Sequence, residues 1–74
     1  YGLQRGFKIA GVNKIMMSLW EVETNATKML MTEFYKNIVK GRSSYEALRI
    51  AQRELKKMRI YDNPYYWASF IILD

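Results

Sequence analysis

Glu21 and Glu23 stand two positions apart, directly after Trp20, where the apolar run Ile15-Met16-Met17 gives way to a polar stretch. On extended backbone, residues two apart project to the same side. Two carboxylates beside a flat indole would make a pocket mouth that favours a Lys or Arg side chain. The same charges also suit the positive N-terminal end of a following helix, worth about 0.3–1 kcal/mol at a surface. Both uses are open at this point, and one carboxylate is enough for the first.

The chain has no His and no Cys. A Ser–His–Asp triad, a Cys–His dyad and a His- or Cys-ligated metal are therefore excluded within it, and a nucleophile of those kinds has to come from other residues. Glu21 and Glu23 alone are too few oxygens for a hard cation. Paired-carboxylate glycoside chemistry lacks a cleft that so short a chain could build. No cofactor and no metal are expected.

Three further patterns carry a bland and a sharp meaning. Arg49, Arg53, Lys56, Lys57 and Arg59 gather on one predicted helix in a chain of net charge +5. They would suit an anionic partner, but no nucleic-acid motif or interleaved aromatic accompanies them, and Glu54 lowers the local field. A solvated face is expected, with no nucleic acid and no membrane as partner. "NPYYWASF" would serve as an aromatic cage or stacking platform, yet Trp67 and Phe70 are expected to pack as ordinary core, with Tyr65 or Tyr66 reaching solvent. Asn25-Ala26-Thr27 fits a glycosylation pattern and is equally well explained as a helix start.

The elements that position these residues follow from periodicity. Leu3, Phe7 and Ala10 recur at helical spacing over "GLQRGFKIAG", with Gly11 as C-terminal cap and Gly6 marking a close approach. "NKIMMSLW" lacks alternation, as in a strand buried on both faces of a parallel sheet. Thr24 or Asn25 caps the next helix, which buries Leu30, Met31, Phe34, Tyr35 and Ile38 and stops at Gly41. "SSYE" is a capping box, opening a helix that runs to about Arg59 and buries Ala47, Leu48, Ala51, Leu55 and Met58. After Asp62-Asn63-Pro64, "YWASFIIL" reads as a strand.

The predicted order is helix, strand, helix, helix, strand, an α/β class. With 74 residues, half of them hydrophobic, and too few strands for a stable sheet, the chain is expected to be a single fragment, residues 1–74, of a larger layered fold. Tyr1 in place of Met agrees with a longer parent. Alone it is expected to be marginal or to self-associate through its sheet edge. No apolar run reaches the length of about 20 residues that a membrane span needs, and a cytoplasmic location is expected.

"SLW-x-V" followed by "AT", "FY" in the next helix, "G-x-S-x-x-EAL" and "PYYWASF" occur here in one order and spacing. Together they make the whole chain resemble the C-terminal part of CHAT domains, caspase-like peptidase domains of clan CD often associated with TPR repeats. The resemblance implies a three-layer caspase-like sandwich whose sheet is incomplete in this chain. It implies a parent cysteine endopeptidase, a hydrolase with catalytic His and Cys upstream, and a chain that completes the sheet and supplies one wall of the substrate groove. Ser18, Leu19, Trp20 and Glu21, with Glu23, would then bind the peptide substrate, and the remainder of the peptidase domain would be the chain's partner. Where the family more often has Val-Asp-Asp, this chain has Val22, Glu23 and Thr24, one methylene longer and one charge fewer. The alternative is a small basic module that binds a protein partner or nucleic acid and has no catalytic role.

Overall fold

A computed structural model describes residues 5–9 and 11–73. Strands β1 (Arg5–Lys8), β2 (Ile15–Ser18) and β3 (Phe70–Leu73) form an antiparallel sheet with β2 in the centre. Helices α1 (Thr24–Val39) and α2 (Ser44–Lys57) lie between β2 and β3 in sequence, followed by a 3-10 turn (Arg59–Tyr61) and the single-turn helix α3 (Pro64–Trp67). The fold is mixed α/β with a partial sheet, and from β2 onward the strand–helix–helix–strand order agrees with the sequence reading.

The leading element does not. A helix is expected around Phe7, but residues 5–8 pair with β2, Gly6 opposite Met17 and Lys8 opposite Ile15; Leu3 and Ala10 lie outside the described residues. So short a helix is marginal, and Gly6 weakens it further, whereas pairing with β2 satisfies the backbone at once. The close approach expected at Gly6 is real, since a Cβ built there would lie 3.2 Å from Ile15 Cγ2. Gly11, at φ +81°, turns a hairpin rather than capping a helix. The turn is closed by the Ile9 amide donating to the Lys14 carbonyl at 3.1 Å.

The strand β2 is also not the doubly buried parallel strand its apolar run implies. Met16 and Ser18 are buried while Ile15 is exposed, because α1 and α2 cover one face of an antiparallel sheet. On the other face Ile15 pairs with Leu73 and Met17 with Ile71, and Ile15 and Leu73 are each 46% exposed. Extents of 31 × 30 × 15 Å fit two layers, one sheet and one layer of helices.

Between the layers Met16, Ile9 and Phe70 meet Ala26, Leu30 and Phe34 of α1 and Ala47, Leu48, Ala51 and Leu55 of α2. Small Ala47 and Ala51 are fully buried, as suits the near approach of two helices joined by a short turn. That turn is a Schellman motif: the Gly41 amide donates to the Ile38 carbonyl (2.9 Å) and the Arg42 amide to the Asn37 carbonyl (3.2 Å), with Gly41 at φ +91°. Ser43 Oγ accepts from the Glu46 amide at 3.2 Å, but the other half of the predicted capping box is absent, the Glu46 carboxylate turning to Arg42 at 3.4 Å. Likewise "YWASFIIL" does not begin as a strand. Asn63 Oδ1 accepts from the Tyr65 amide (2.9 Å) and caps one helical turn with Pro64 at its start, so the strand begins only at Phe70.

Candidate functional site

The chain leaves β2 at Ser18 and runs through Leu19, Trp20 and Glu21 to α1. Its course is set by the C-terminal segment. Ser18 Oγ donates to the Trp20 carbonyl, so its remaining bond, 3.0 Å to Ser69 Oγ, has Ser69 as donor. The Leu19 amide donates to the Ser69 carbonyl at 2.9 Å. Trp20 Nε1 donates to the Tyr65 carbonyl at 3.0 Å, and the Tyr65 hydroxyl donates to the Glu21 carbonyl at 2.8 Å. Tyr65 and Ser69 thus clamp the segment from both ends. Gln52 holds the clamp from α2, its Nε2 donating to the carbonyls of Trp67 (2.7 Å) and Phe70 (3.2 Å).

A concavity of about 590 Å³ opens beside this segment, between the end of β2 and the first turns of α1. Ser18, Trp20 and Glu21 form one side, Thr24, Thr27 and Lys28 the other, with Met31 and Phe70 among its apolar lining. Leu19 and Glu23 do not line it. Leu19 is held against Ser69, and Glu23 is the N-cap of α1, where Thr24 or Asn25 is expected from sequence. Both Glu23 carboxylate oxygens are occupied, accepting from the amides of Asn25 (2.9 Å) and Ala26 (3.0 Å). Of the two carboxylates at the strand exit, Glu23 therefore serves the helix end, and Glu21 alone faces the concavity, opposite in sign to Lys28. The amides of Trp20 and Glu21 make no hydrogen bond to a described residue.

Sequence reasoning missed Tyr65, Ser69 and Gln52. Each acts through a partner that is distant in sequence or through main-chain atoms, and Ser69 in an otherwise apolar stretch is the one local signal among the three. Tyr65 does reach solvent, at 44% exposure, and Phe70 is core at 3%. Trp67 packs only partly against the core; its Nε1 donates to the Asp62 carbonyl at 3.2 Å, and Lys56 Nζ lies 5.4 Å from its ring centroid. An aromatic therefore does adjoin the basic face of α2, contrary to the sequence expectation. Among the described residues no group of three or more acidic, His or Cys side chains could hold a metal, and no helix is long and apolar enough to cross a membrane.

The family model for the CHAT domain matches residues 1–74. The chain is similar to Tetratricopeptide repeat protein 28 of Homo sapiens, 31% identical over 71 residues, and to that of Mus musculus, 28% identical over 71 residues. Each match covers 96% of this chain and 3% of the relative, so the chain spans a small part of the curated proteins it matches. No solved structure matches it. A two-layer α/β segment with this end-to-end match belongs to the CHAT domain family.

Proposed function

We propose that this chain is the C-terminal segment of a caspase-like cysteine endopeptidase domain, where it completes the sheet and forms one wall of the substrate groove. The catalytic His and Cys are supplied from outside these residues, and the thiolate attacks a peptide carbonyl while the His gives a proton to the departing amine. The apolar outer face of the sheet, with Ile15 and Leu73 exposed, supports a third layer supplied by the remainder of the domain. The relatives' name supports a setting beside tetratricopeptide repeats.

The observation that carries this reading is the strand exit clamped by Tyr65 and Ser69, which holds Trp20 and Glu21 in the lining of the concavity. A main-chain amide at a rigid strand end can pair with an extended peptide by strand addition, one of each two consecutive amides facing a given edge. The neighbouring Glu21 carboxylate selects a Lys or Arg side chain, and the indole of Trp20 lies along its methylenes. Hydrolysis of fluorogenic peptides by the intact protein tests it. Glu21→Gln should lower kcat/KM for an Arg substrate about five-fold, the scale of a solvent-exposed ion pair, and leave Ala and Asp substrates unchanged. An unaltered Arg-to-Ala ratio sinks the assignment of Glu21, and the absence of any thiol-dependent hydrolysis sinks the peptidase.

A further inference from the structure

We propose that the exposed face of α2 is a docking surface for an acidic segment of a partner protein, held chiefly by Arg49 and Arg53. This surface is separate from the groove beside Trp20 and does not depend on peptidase activity.

Arg49, Arg53 and Lys56 recur at i, i+4 and i+7 and are exposed, so they form one row about 10 Å long on a single face of the helix. Two other cations on this helix or next to it are neutralised locally, Arg42 by Glu46 at 3.4 Å and Lys57 by Glu54 at 3.2 Å. Arg49 and Arg53 form no ion pair with any described residue. Like charges one turn apart disfavour a helix, so the adjacent Arg49 and Arg53 charges do not help α2 to form. Both arginines also line two adjoining concavities. One is about 640 Å³, with Tyr45 and Ile50, and the other about 390 Å³, with Gln52, Lys56 and Trp67. A ligand lying along α2 would therefore meet a guanidinium in each concavity.

Two observations favour a carboxylate-bearing peptide over a nucleic acid. The aromatic rings beside the row each already carry a cation, Lys56 5.4 Å from Trp67 and Lys14 5.7 Å from Tyr45, which competes with the base stacking on which sequence-blind single-strand binding relies. The spacing also fits a peptide. One helical turn separates Arg49 from Arg53 by about 6 Å along the axis. Alternate residues of an extended peptide are separated by roughly 6.7 Å, so Glu or Asp at every second position would offer each guanidinium fork a carboxylate.

Fluorescence anisotropy of the intact protein decides the matter, using a labelled 12-residue peptide of alternating Glu and Ser and a labelled 12-nucleotide oligothymidylate. The peptide is expected to bind saturably, to weaken as NaCl rises from 50 to 300 mM, and to bind more tightly than the oligonucleotide. The double variant Arg49→Glu/Arg53→Glu should weaken peptide binding at least about ten-fold. Arg49→Gln/Arg53→Gln supplies the same test if charge reversal unfolds the helix, as circular dichroism would show. Arg49→Lys/Arg53→Lys keeps the charge but not the fork, and should weaken binding about three-fold. Lys36→Glu/Lys40→Glu makes an equal charge change at the C-terminal end of α1 and should have no comparable effect. The proposal is overturned by tighter oligonucleotide binding, by no peptide binding, by Arg variants that bind like wild type, or by an equal loss in the α1 control.

Discussion

Replacing Glu23 separates the two uses of an acidic residue at this strand exit. Its carboxylate accepts from the amides of Asn25 and Ala26 at 2.9 and 3.0 Å, and its main-chain carbonyl accepts from the Thr27 hydroxyl at 3.1 Å. Glu23→Ala removes the first two bonds and keeps the third. The Asn25 amide is then left to water, but Ala26 is fully buried, so its neighbourhood cannot be rehydrated without loosening the first turn. Loss of an N-cap costs about 0.5–2 kcal/mol. Because Glu23 is exposed and its charge screened, about 1 kcal/mol is the fitting figure, a roughly five-fold rise in the local opening equilibrium. Hydrogen exchange of the intact protein, followed by mass spectrometry over residues 22–31, would read that rise directly. Glu23→Asn, a good cap without charge, should restore most of the protection, and neither change should alter the preference for Arg over Ala substrates. Unchanged exchange in Glu23→Ala together with a lost preference for basic residues would refute the reasoning, because the carboxylate would then be facing the groove.

Two other perturbations probe the frame that holds the site. Gln52→Leu removes both donors to the carbonyls of Trp67 and Phe70; with these half-buried acceptors unpaired, a loss of about 1–3 kcal/mol is expected, visible as faster exchange over residues 64–73 with little change in α1. Phe34→Ala empties a fully buried position between the layers and should cost about 3–5 kcal/mol, lowering the denaturation midpoint of the intact protein's CHAT domain in a protease-susceptibility titration. A change below about 1 kcal/mol would contradict the packing described.

The two long helices are plain in the sequence because their apolar residues fall on one side. Leu30 and Phe34 of α1, and Ala47, Leu48, Ala51 and Leu55 of α2, are buried as their spacing requires. Gly41 marked the end of α1 because left-handed backbone is easiest for a residue without a Cβ. The strands were harder. Phe7 lies where a short helical pattern and a strand are both compatible with the residues, and only pairing with β2 decides. The run Ile15-Met16-Met17 reads as buried on both sides because its outward face is apolar too, a face the described residues leave open. At the strand exit, Trp20 and Glu21 stood out by type. The clamp did not, since Ser69 and Tyr65 meet Ser18 and Glu21 through bonds with no local signature. Glu23 was ambiguous for a simpler reason, as the pocket and the helix end ask for the same charge in the same place.

The clasp that shapes the strand exit joins positions 44 to 51 residues apart in the chain. Such long-range closure comes late in folding, after the helical hairpin between them has formed. During synthesis the loop bearing Glu21 emerges well before Tyr65 and Ser69, so a nascent chain holds the seat of the cleft before it holds the fastening. Truncation between residues 58 and 64 would keep the residues of both long helices and lose the fastening.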